Sequence, residues 1–191
     1  VGLNALTLVK PMPVNQVPLF EEGFSSVQDA SAQHAANLLS ITADMSVLDA
    51  CAAPGGKACH LAERGARVTA VDVSEARLGK ATENAARLNL NVRTVLGDAR
   101  CLSEVLANEL FDAILLDVPC SATGVMRRNP DVKVIRTRAD VEQFASLQLE
   151  LLQSAWLQLA AGGQLLYATC SLLPQENDAV IDAFIARESN A

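Results

Sequence analysis

Five short apolar segments, separated by longer stretches of helical character, are the feature that most constrains the fold of this chain. The apolar segments lie at 46–50, 68–71, 92–96, 111–116 and 164–168. Helices are predicted near 31–40, after Lys57 through about Arg64, after the N-cap Ser74 to about Leu88, over about 140–160 and from near Glu176. The pair Gly162-Gly163 is predicted to end the fourth of these helices. Strands that alternate with helices form doubly wound sheets, so we expect an α/β fold with mostly parallel strands.

Length and composition indicate one domain with a substantial core, because half of the 191 residues are hydrophobic and only 4% are aromatic. Residues 1–30 contain three prolines and lack periodicity, so we predict an extended lead-in that packs beside a domain of residues 31–191. No apolar run reaches the length of a membrane span and no secretory signal opens the chain, so we expect a cytoplasmic protein. Because the chain begins with Val1 rather than Met, we expect a fragment of a longer protein.

Cysteine content and charge limit the kinds of site that the chain can build. There are five cysteines, an odd number without a Cys-x-x-Cys pair, and only His34 and His60 could supplement them. We therefore expect neither a structural zinc site nor a disulfide framework. The net charge of −7 argues against a nucleic-acid partner. One basic segment is a local exception, because a dozen residues contain Arg127, Arg128, Lys133, Arg136 and Arg138.

Acidic or thiol side chains lie at the ends of the predicted strands. In doubly wound sheets, ligands bind beyond the carboxyl ends of the strands, near the switch in strand order. A single polar residue at such a position is often only part of a loop, but a full set of them indicates a binding site. The set consists of Asp49, Asp72, Asp98, Asp117 with Cys120, and Cys170.

The turn after the first strand is predicted to bind a cofactor. Its residues, 51–57, include Gly55 and Gly56, which let a ligand approach the backbone at the start of a helix. Asp72 follows Asp49 by 23 residues, a spacing that suits the ribose diol of an adenosine cofactor. The spacing also fits NAD, but the turn lacks the Gly-x-Gly-x-x-Gly pattern that a pyrophosphate requires. S-adenosylmethionine has no phosphates, so its binding does not require this glycine pattern. Asp98 is then a candidate to bind the adenine amino group.

Cys120 and Cys170 are predicted to share one pocket. In the usual doubly wound order, strands four and five are neighbours roughly 4.8 Å apart. Each cysteine alone is more typical of core packing, but a pair at adjacent strand ends favours catalysis. A thiolate is strongly nucleophilic and also a good leaving group, which suits reversible covalent chemistry. These residues do not determine which of the two thiols is the nucleophile.

Three ordered motifs resemble those of the NOL1/NOP2/Sun family of RNA cytosine-5 methyltransferases. Residues 49–57 are similar to motif I, 117–124 to motif IV, and 167–171, with the sequence Tyr-Ala-Thr-Cys-Ser, to motif VI. Supporting similarities occur at 26–29, 127–131 and 174–177, so the resemblance covers nearly the whole chain.

The resemblance implies a Rossmann-like, S-adenosylmethionine-dependent methyltransferase that modifies carbon 5 of cytosine in RNA, with small-subunit ribosomal RNA as the expected partner. It implies that Cys170 adds to carbon 6 of the base and that Cys120 assists product release. From the chemistry of such an adduct, we expect Asp117 to hydrogen-bond the N3 and amino edge of the base. The target base would have to be single-stranded or flipped. The implied cofactor contacts are Cys51, Ala52, Ala53, Pro54, Gly55, Gly56, Lys57, Asp72, Asp98 and Asp117.

The chain departs from the family pattern in three places. Val134 replaces a frequent aromatic residue, and Ala58-Cys59 replaces a frequent Thr-Thr. Family catalytic domains also continue into a final strand pair, whereas this sequence ends at Ala191. Two alternatives remain from the residues alone. They are an NAD-type oxidoreductase on the same architecture, and a binding module that keeps the cofactor pocket without catalysing a reaction.

Overall fold

A parallel five-stranded sheet forms the centre of the molecule in the computed structural model, which describes residues 5–188 and residue 190. The strand order is β3-β2-β1-β4-β5, and every neighbouring pair is parallel. This confirms the predicted doubly wound α/β fold. The strands are β1 (Ser46–Asp49), β2 (Arg67–Asp72), β3 (Val92–Leu96), β4 (Phe111–Asp117) and β5 (Leu159–Ala168).

Helices cover both faces of the sheet, as expected for parallel strands with apolar side chains on both sides. The helices are α1 (Ala30–Leu38), α2 (Gly56–Glu63), α3 (Glu75–Arg87), α4 (Leu102–Val105), α5 (Val132–Ile135), α6 (Arg138–Trp156) and α7 (Asp178–Ile185). Helices α1 and α2 pack on one face through a cluster that includes Val47, Leu61 and Leu115. Helices α6 and α7 pack on the other through Leu48, Leu152 and Phe184.

The register of the strands brings their carboxyl ends to one edge. Asp49 at the end of β1 pairs with Ala70 of β2 and Leu115 of β4, and Asp117 at the end of β4 pairs with Ala168 of β5. The loops that carry the predicted site residues therefore leave the sheet at one edge. The switch in strand order lies between β1 and β4, where ligands bind in folds of this class.

The two glycines Gly162 and Gly163 do not end helix α6, and this prediction was wrong. The helix ends at Trp156, and both glycines lie inside β5, where the register with β4 shifts between Phe111 and Ala113. Phe111 pairs with Leu159 and Ala113 with Gln164, so extra residues of β5 bulge at this point. Glycine marks strand irregularities as well as helix ends, and local sequence does not separate the two.

The second half of the lead-in contacts the end of helix α3. The Arg87 guanidinium donates to the carbonyl oxygens of Phe20 at 2.5 Å and Ser25 at 3.0 Å, and lies 3.8 Å from the centroid of the Phe20 ring. A short 3-10 turn at Val14–Gln16 is the regular element before these contacts. The outer limits of the predicted segments 1–30 and 31–191 lie outside the described residues. No helix in the described part is both long and apolar enough to cross a membrane.

Candidate active site

A cleft of about 970 Å³ opens at the carboxyl edge of the sheet. Eight of the predicted site residues line it: Cys51, Ala53, Lys57, Asp72, Asp98, Asp117, Cys120 and Cys170. The other four predicted residues, Ala52, Pro54, Gly55 and Gly56, belong to the same turn and support its shape rather than line the cleft. The fold therefore brings the predicted cofactor turn and the predicted thiols to one cavity.

The turn after β1 is held in place by Gly55 and Asp72. Gly55 has φ of +93°, and a Cβ at this position would lie 2.6 Å from the Cβ of Ala81, so a larger residue would clash with helix α3. Asp72 is buried, and its carboxylate accepts the backbone N–H of Ala53 at 3.0 Å and that of Ser74 at 2.9 Å. The end of β2 thus fixes the turn at the start of α2.

Asp49 is a buried carboxylate without a strong partner. Its side chain is 1% exposed, and neither oxygen has a hydrogen-bond partner among the described residues. Burial, reinforced by the negative charges of Asp117 and Asp72, raises the pKa of Asp49 to about 7, and the Lys57 ammonium only partly opposes this. Asp49 thus belongs to the predicted set of strand-end acids but does not line the cleft, and the end of β1 holds a buried carboxyl group with a pKa near neutral.

Two ion pairs flank the cleft. Asp117, at the end of β4, accepts a hydrogen bond from the Lys57 ammonium, and both side chains are about a quarter to a third exposed. The Arg100 guanidinium donates to Asp98 Oδ1 at 3.1 Å and to Oδ2 at 2.9 and 2.6 Å, and this pairing lowers the pKa of Asp98. Both aspartates line the cleft.

The sulfur atoms of Cys120 and Cys170 lie 3.3 Å apart, although the two residues are 50 positions apart in the sequence. Cys120 is buried and Cys170 is exposed to the cleft. The hydrogen bond between the thiols lowers the pKa of Cys120 to about 7, because a thiolate at Cys120 accepts a hydrogen bond from the Cys170 thiol, and it raises the pKa of Cys170. The pair therefore loses its first proton more readily than an isolated thiol does.

The third thiol of the cleft, Cys51, has a different character. Burial and the nearby Asp49 carboxylate raise the pKa of Cys51 to about 12. A neutral thiol is a poor nucleophile. The reactive sulfur chemistry of the cleft is therefore that of the Cys120–Cys170 pair.

The basic segment is only partly available for a ligand. Arg128 pairs with Asp29 of the lead-in at 2.5 Å, and Arg138 pairs with Glu142 at 3.0 Å. Arg136 lies over the Phe144 ring at 5.2 Å and donates to the carbonyl oxygen of Ser121 at 3.3 Å. Arg127 and Lys133 are exposed and make no ion pair with the described residues.

Sequence reasoning missed several residues of the site. Arg77 and Arg100 line the cleft, and His34 of helix α1 closes one side of it. Glu176 is fully buried behind the two thiols and bonds to the serines that follow them, Ser121 and Ser171. A serine directly after each paired cysteine was a usable signal, but the partner that joins them was not visible along the chain.

Comparison with known proteins establishes the family. Residues 36–191 match the family model described as 16S rRNA methyltransferase RsmB/F. The ribosomal RNA small subunit methyltransferases B of Shewanella oneidensis and Vibrio cholerae are 50% and 48% identical to the chain over 190 residues, which is 98% of it. The chain spans 44% of the length of each of these two relatives.

A solved structure has the same fold. The crystal structure of NSun6 from Pyrococcus horikoshii with SFG superposes with a TM-score of 0.84 at 34% sequence identity, covering 93% of this chain and 46% of that one. Fold, motifs and sequence identity thus agree, and the chain belongs to the 16S rRNA methyltransferase family RsmB/F.

Proposed function

We propose that this chain transfers a methyl group from S-adenosylmethionine to carbon 5 of a cytosine in 16S ribosomal RNA, through a covalent adduct between Cys170 and carbon 6. The observation that carries the proposal is the 3.3 Å contact between the Cys120 and Cys170 sulfur atoms in the cleft that also contains the cofactor turn. Residues 31–191 are the proposed catalytic unit. A ribosomal substrate also implies a cytoplasmic location.

The chemistry of the cleft fits S-adenosylmethionine. Asp72 lines the cleft at the carboxyl end of β2, where each of its carboxylate oxygens keeps a lone pair for the hydroxyl groups of a ribose. Asp98 is proposed for the adenine amino group, and residues 51–57 with Asp117 for the rest of the cofactor. SFG in the NSun6 structure is an S-adenosylmethionine analogue, which supports this assignment. When bound, the cofactor supplies an electrophilic methyl group.

The steps of the reaction other than cofactor binding involve the two thiols. Cys170, the thiol that is exposed to the cleft, loses its proton to solvent and attacks as the thiolate. That sulfur forms a bond to carbon 6, and the electron pair of the 5,6 double bond makes carbon 5 nucleophilic. After carbon 5 is methylated, the Cys120 thiolate takes the proton from carbon 5, and the electron pair of that C–H bond restores the double bond as the Cys170 thiolate departs. We assign Cys120 to this release step because it lies in contact with the leaving sulfur.

Asp117 and its ion partner stabilise the base. As the adduct forms, negative charge develops toward N3 of the ring, which then takes up a proton or a hydrogen bond. Asp117 lies at the cleft beside both Lys57 and Cys120, where it can orient the N3 and amino edge. The base must leave any stack to reach Cys170, so we propose a single-stranded or flipped cytosine. Arg127 and Lys133 are the proposed phosphate contacts.

The test is an assay for 5-methylcytidine, measured by mass spectrometry of digested small-subunit ribosomal RNA after incubation with S-adenosylmethionine. Cys170→Ala should abolish product, by more than about 10³-fold, yet leave the cofactor dissociation constant within about threefold. Cys120→Ala should accumulate a protein–RNA adduct. Cys101→Ala is the matched control, because Cys101 is exposed outside the cleft and should retain full activity.

Both negative outcomes are informative. If cofactor binds but no methyl group moves, the assay is repeated on a chain extended to the length of the curated relatives. Failure of that chain on cytosine would overturn the proposal and favour a binding module. Product formation that survives Cys170→Ala would overturn the assignment of the nucleophile.

A further inference from the structure

Glu176 is a fully buried carboxylate that accepts four hydrogen bonds. It lies in the 3-10 turn Pro174–Glu176, directly behind the two thiols. Oε1 accepts the Ser121 backbone N–H at 2.7 Å and the Gln148 side-chain N–H at 3.2 Å. Oε2 accepts the hydroxyl of Ser121 and, at 2.5 Å, that of Ser171. A single side chain thus bonds to three other parts of the chain.

The two serines are the residues that follow the two thiols. Ser121 comes directly after Cys120 in the loop beyond β4, and Ser171 directly after Cys170 in the loop beyond β5. Gln148 of α6 also donates to the carbonyl oxygen of Pro119, the residue before Cys120, at 2.9 Å. Glu176 therefore connects both thiol-bearing loops at positions next to the sulfur atoms.

The chemistry of the carboxylate explains why an acidic residue is used here. An ionised carboxylate only accepts hydrogen bonds, and its two oxygens have room for all four donors. The described residues place no Lys or Arg nitrogen within 4.0 Å of it, so these donors are what compensates the buried charge. Without it, the N–H of Ser121 and that of Gln148 would lose their acceptor, and the two loops would lose their shared partner.

We propose that Glu176 is a positioning residue that holds the sulfur atoms of Cys120 and Cys170 in contact by bonding to the serine after each of them. The inference deepens the proposed function, since the contact matters because the two thiols act together. Glu176 does not reach the cleft and touches neither cofactor nor substrate in this proposal.

The experiment measures the thiol contact directly, without any methyl transfer. Diamide, which takes two electrons and two protons from a pair of thiols, is added to the chain in a Cys101→Ser background, which removes the exposed thiol outside the cleft. The rate of Cys120–Cys170 disulfide formation is followed by peptide mass spectrometry. A disulfide requires the two sulfurs to approach about 2.05 Å, so its rate depends on how the loops hold them.

Glu176→Ala should slow disulfide formation by about tenfold and lower kcat for methyl transfer by about 100-fold, with the cofactor dissociation constant unchanged. Glu176→Gln should recover most of the rate. Its amide oxygen can accept from Ser121 N–H, and its NH₂ can donate to the serine hydroxyls after they rotate. The matched control is Gln158→Ala, because Gln158 is an equally buried polar residue that bonds to Ser103, away from the thiols.

Equal disulfide rates in wild type, Glu176→Ala and Gln158→Ala would overturn the inference. If Glu176→Ala fails to unfold cooperatively, the double variant Ser121→Ala, Ser171→Ala is used in its place. A disulfide rate in this double variant equal to that of wild type would likewise overturn the inference. The outcome is distinguishable from failure of the proposed function. A slowed disulfide together with a wild type that makes no 5-methylcytidine would support the role of Glu176 and contradict only the methyltransferase proposal.

Discussion

Four aspartates at or just beyond the ends of strands β1 to β4 have four different environments. The Asp72 carboxylate is held by two backbone N–H groups, that of Asp98 by the Arg100 guanidinium, and that of Asp117 by the Lys57 ammonium. Asp49 has no comparable partner. Identical side chains thus differ in charge state and in their availability to a ligand, and the difference lies in their neighbours.

Asp49→Asn is predicted to change the pH dependence of stability. Burial raises the pKa of Asp49 from 3.8 in the unfolded chain to about 7 in the folded state. Between these two pH values, the folded state keeps a proton on Asp49 that the unfolded state has lost. The contribution of Asp49 to stability is therefore full below pH 4 and is lost as the pH rises to about 7. From pH 5 to 7.5, the free energy of unfolding of Asp49→Asn should rise relative to wild type by about 2 kcal/mol.

Urea unfolding at several pH values measures this difference. Asp44→Asn is the control, since Asp44 is an exposed carboxylate away from the cleft. Curves for Asp49→Asn and wild type that stay parallel across this pH range would show that Asp49 is ionised at acidic pH in the folded state.

Strands β4 and β5, which precede the two thiols, are held together by their backbone hydrogen bonds. Strands β4 and β5 pair along most of their length, and the backbone N–H of Val118 still donates to the carbonyl oxygen of Ala168 at 3.0 Å beyond the last strand pair. Further along, the N–H of Gly124 donates to the carbonyl oxygen of Cys170 at 2.8 Å. The loops that follow β4 and β5 therefore remain hydrogen-bonded to each other beyond the strands, and the contact between the two thiols lies within this close approach.

Gly124→Ala is predicted to separate these two loops. A Cβ at residue 124 would lie 2.7 Å from the Cys170 carbonyl oxygen, so the backbone must shift. We expect a loss of about 1–3 kcal/mol in unfolding free energy and a fall in methyl-transfer rate. Gly79→Ala in helix α3 is the matched control, because its Cβ meets no atom within 4 Å and should add about 0.5–1 kcal/mol. Thermal unfolding of both variants decides the prediction, and equal melting temperatures would count against it.

In the molecule as a whole, two arginines join the lead-in to the main domain. Arg87 at the end of α3 bonds to two carbonyl groups of the lead-in and stacks on Phe20, while Asp29 pairs with Arg128 near the thiol-bearing loops. The lead-in thus touches the domain at both α3 and the basic segment. We infer that its order affects the basic segment as well.

Arg87→Ala is predicted to loosen residues 20–29 without unfolding the domain. Two carbonyl acceptors and a ring contact are lost, which should cost about 1–3 kcal/mol of local stability. Amide hydrogen exchange should rise in this segment and stay unchanged in β1 and β4. Arg93→Ala is the control, because Arg93 makes only a surface ion pair with Glu109 at 2.7 Å. Unchanged exchange in residues 20–29 would show that other contacts hold the lead-in.

The sequence by itself determined the α/β alternation, the parallel sheet and the positions of the strand ends, because apolar periodicity and capping residues such as Ser74 act within a few residues of the chain. It also located the cofactor turn and both thiols, since functional residues of this fold class follow the strands. It misplaced the end of α6, because Gly162 and Gly163 suit a strand bulge as well as a helix end.

Only the tertiary structure decided how these residues interact. The contact between Cys120 and Cys170, the pairing of Lys57 with Asp117 and the burial of Glu176 all join segments distant in sequence or depend on packing around them. The raised pKa of Asp49 likewise follows from desolvation by its neighbours and from the charge of Asp117, which comes from another strand. Local patterns encode which element a residue joins, whereas burial and hydrogen-bond partners are set by elements that meet only when the chain folds.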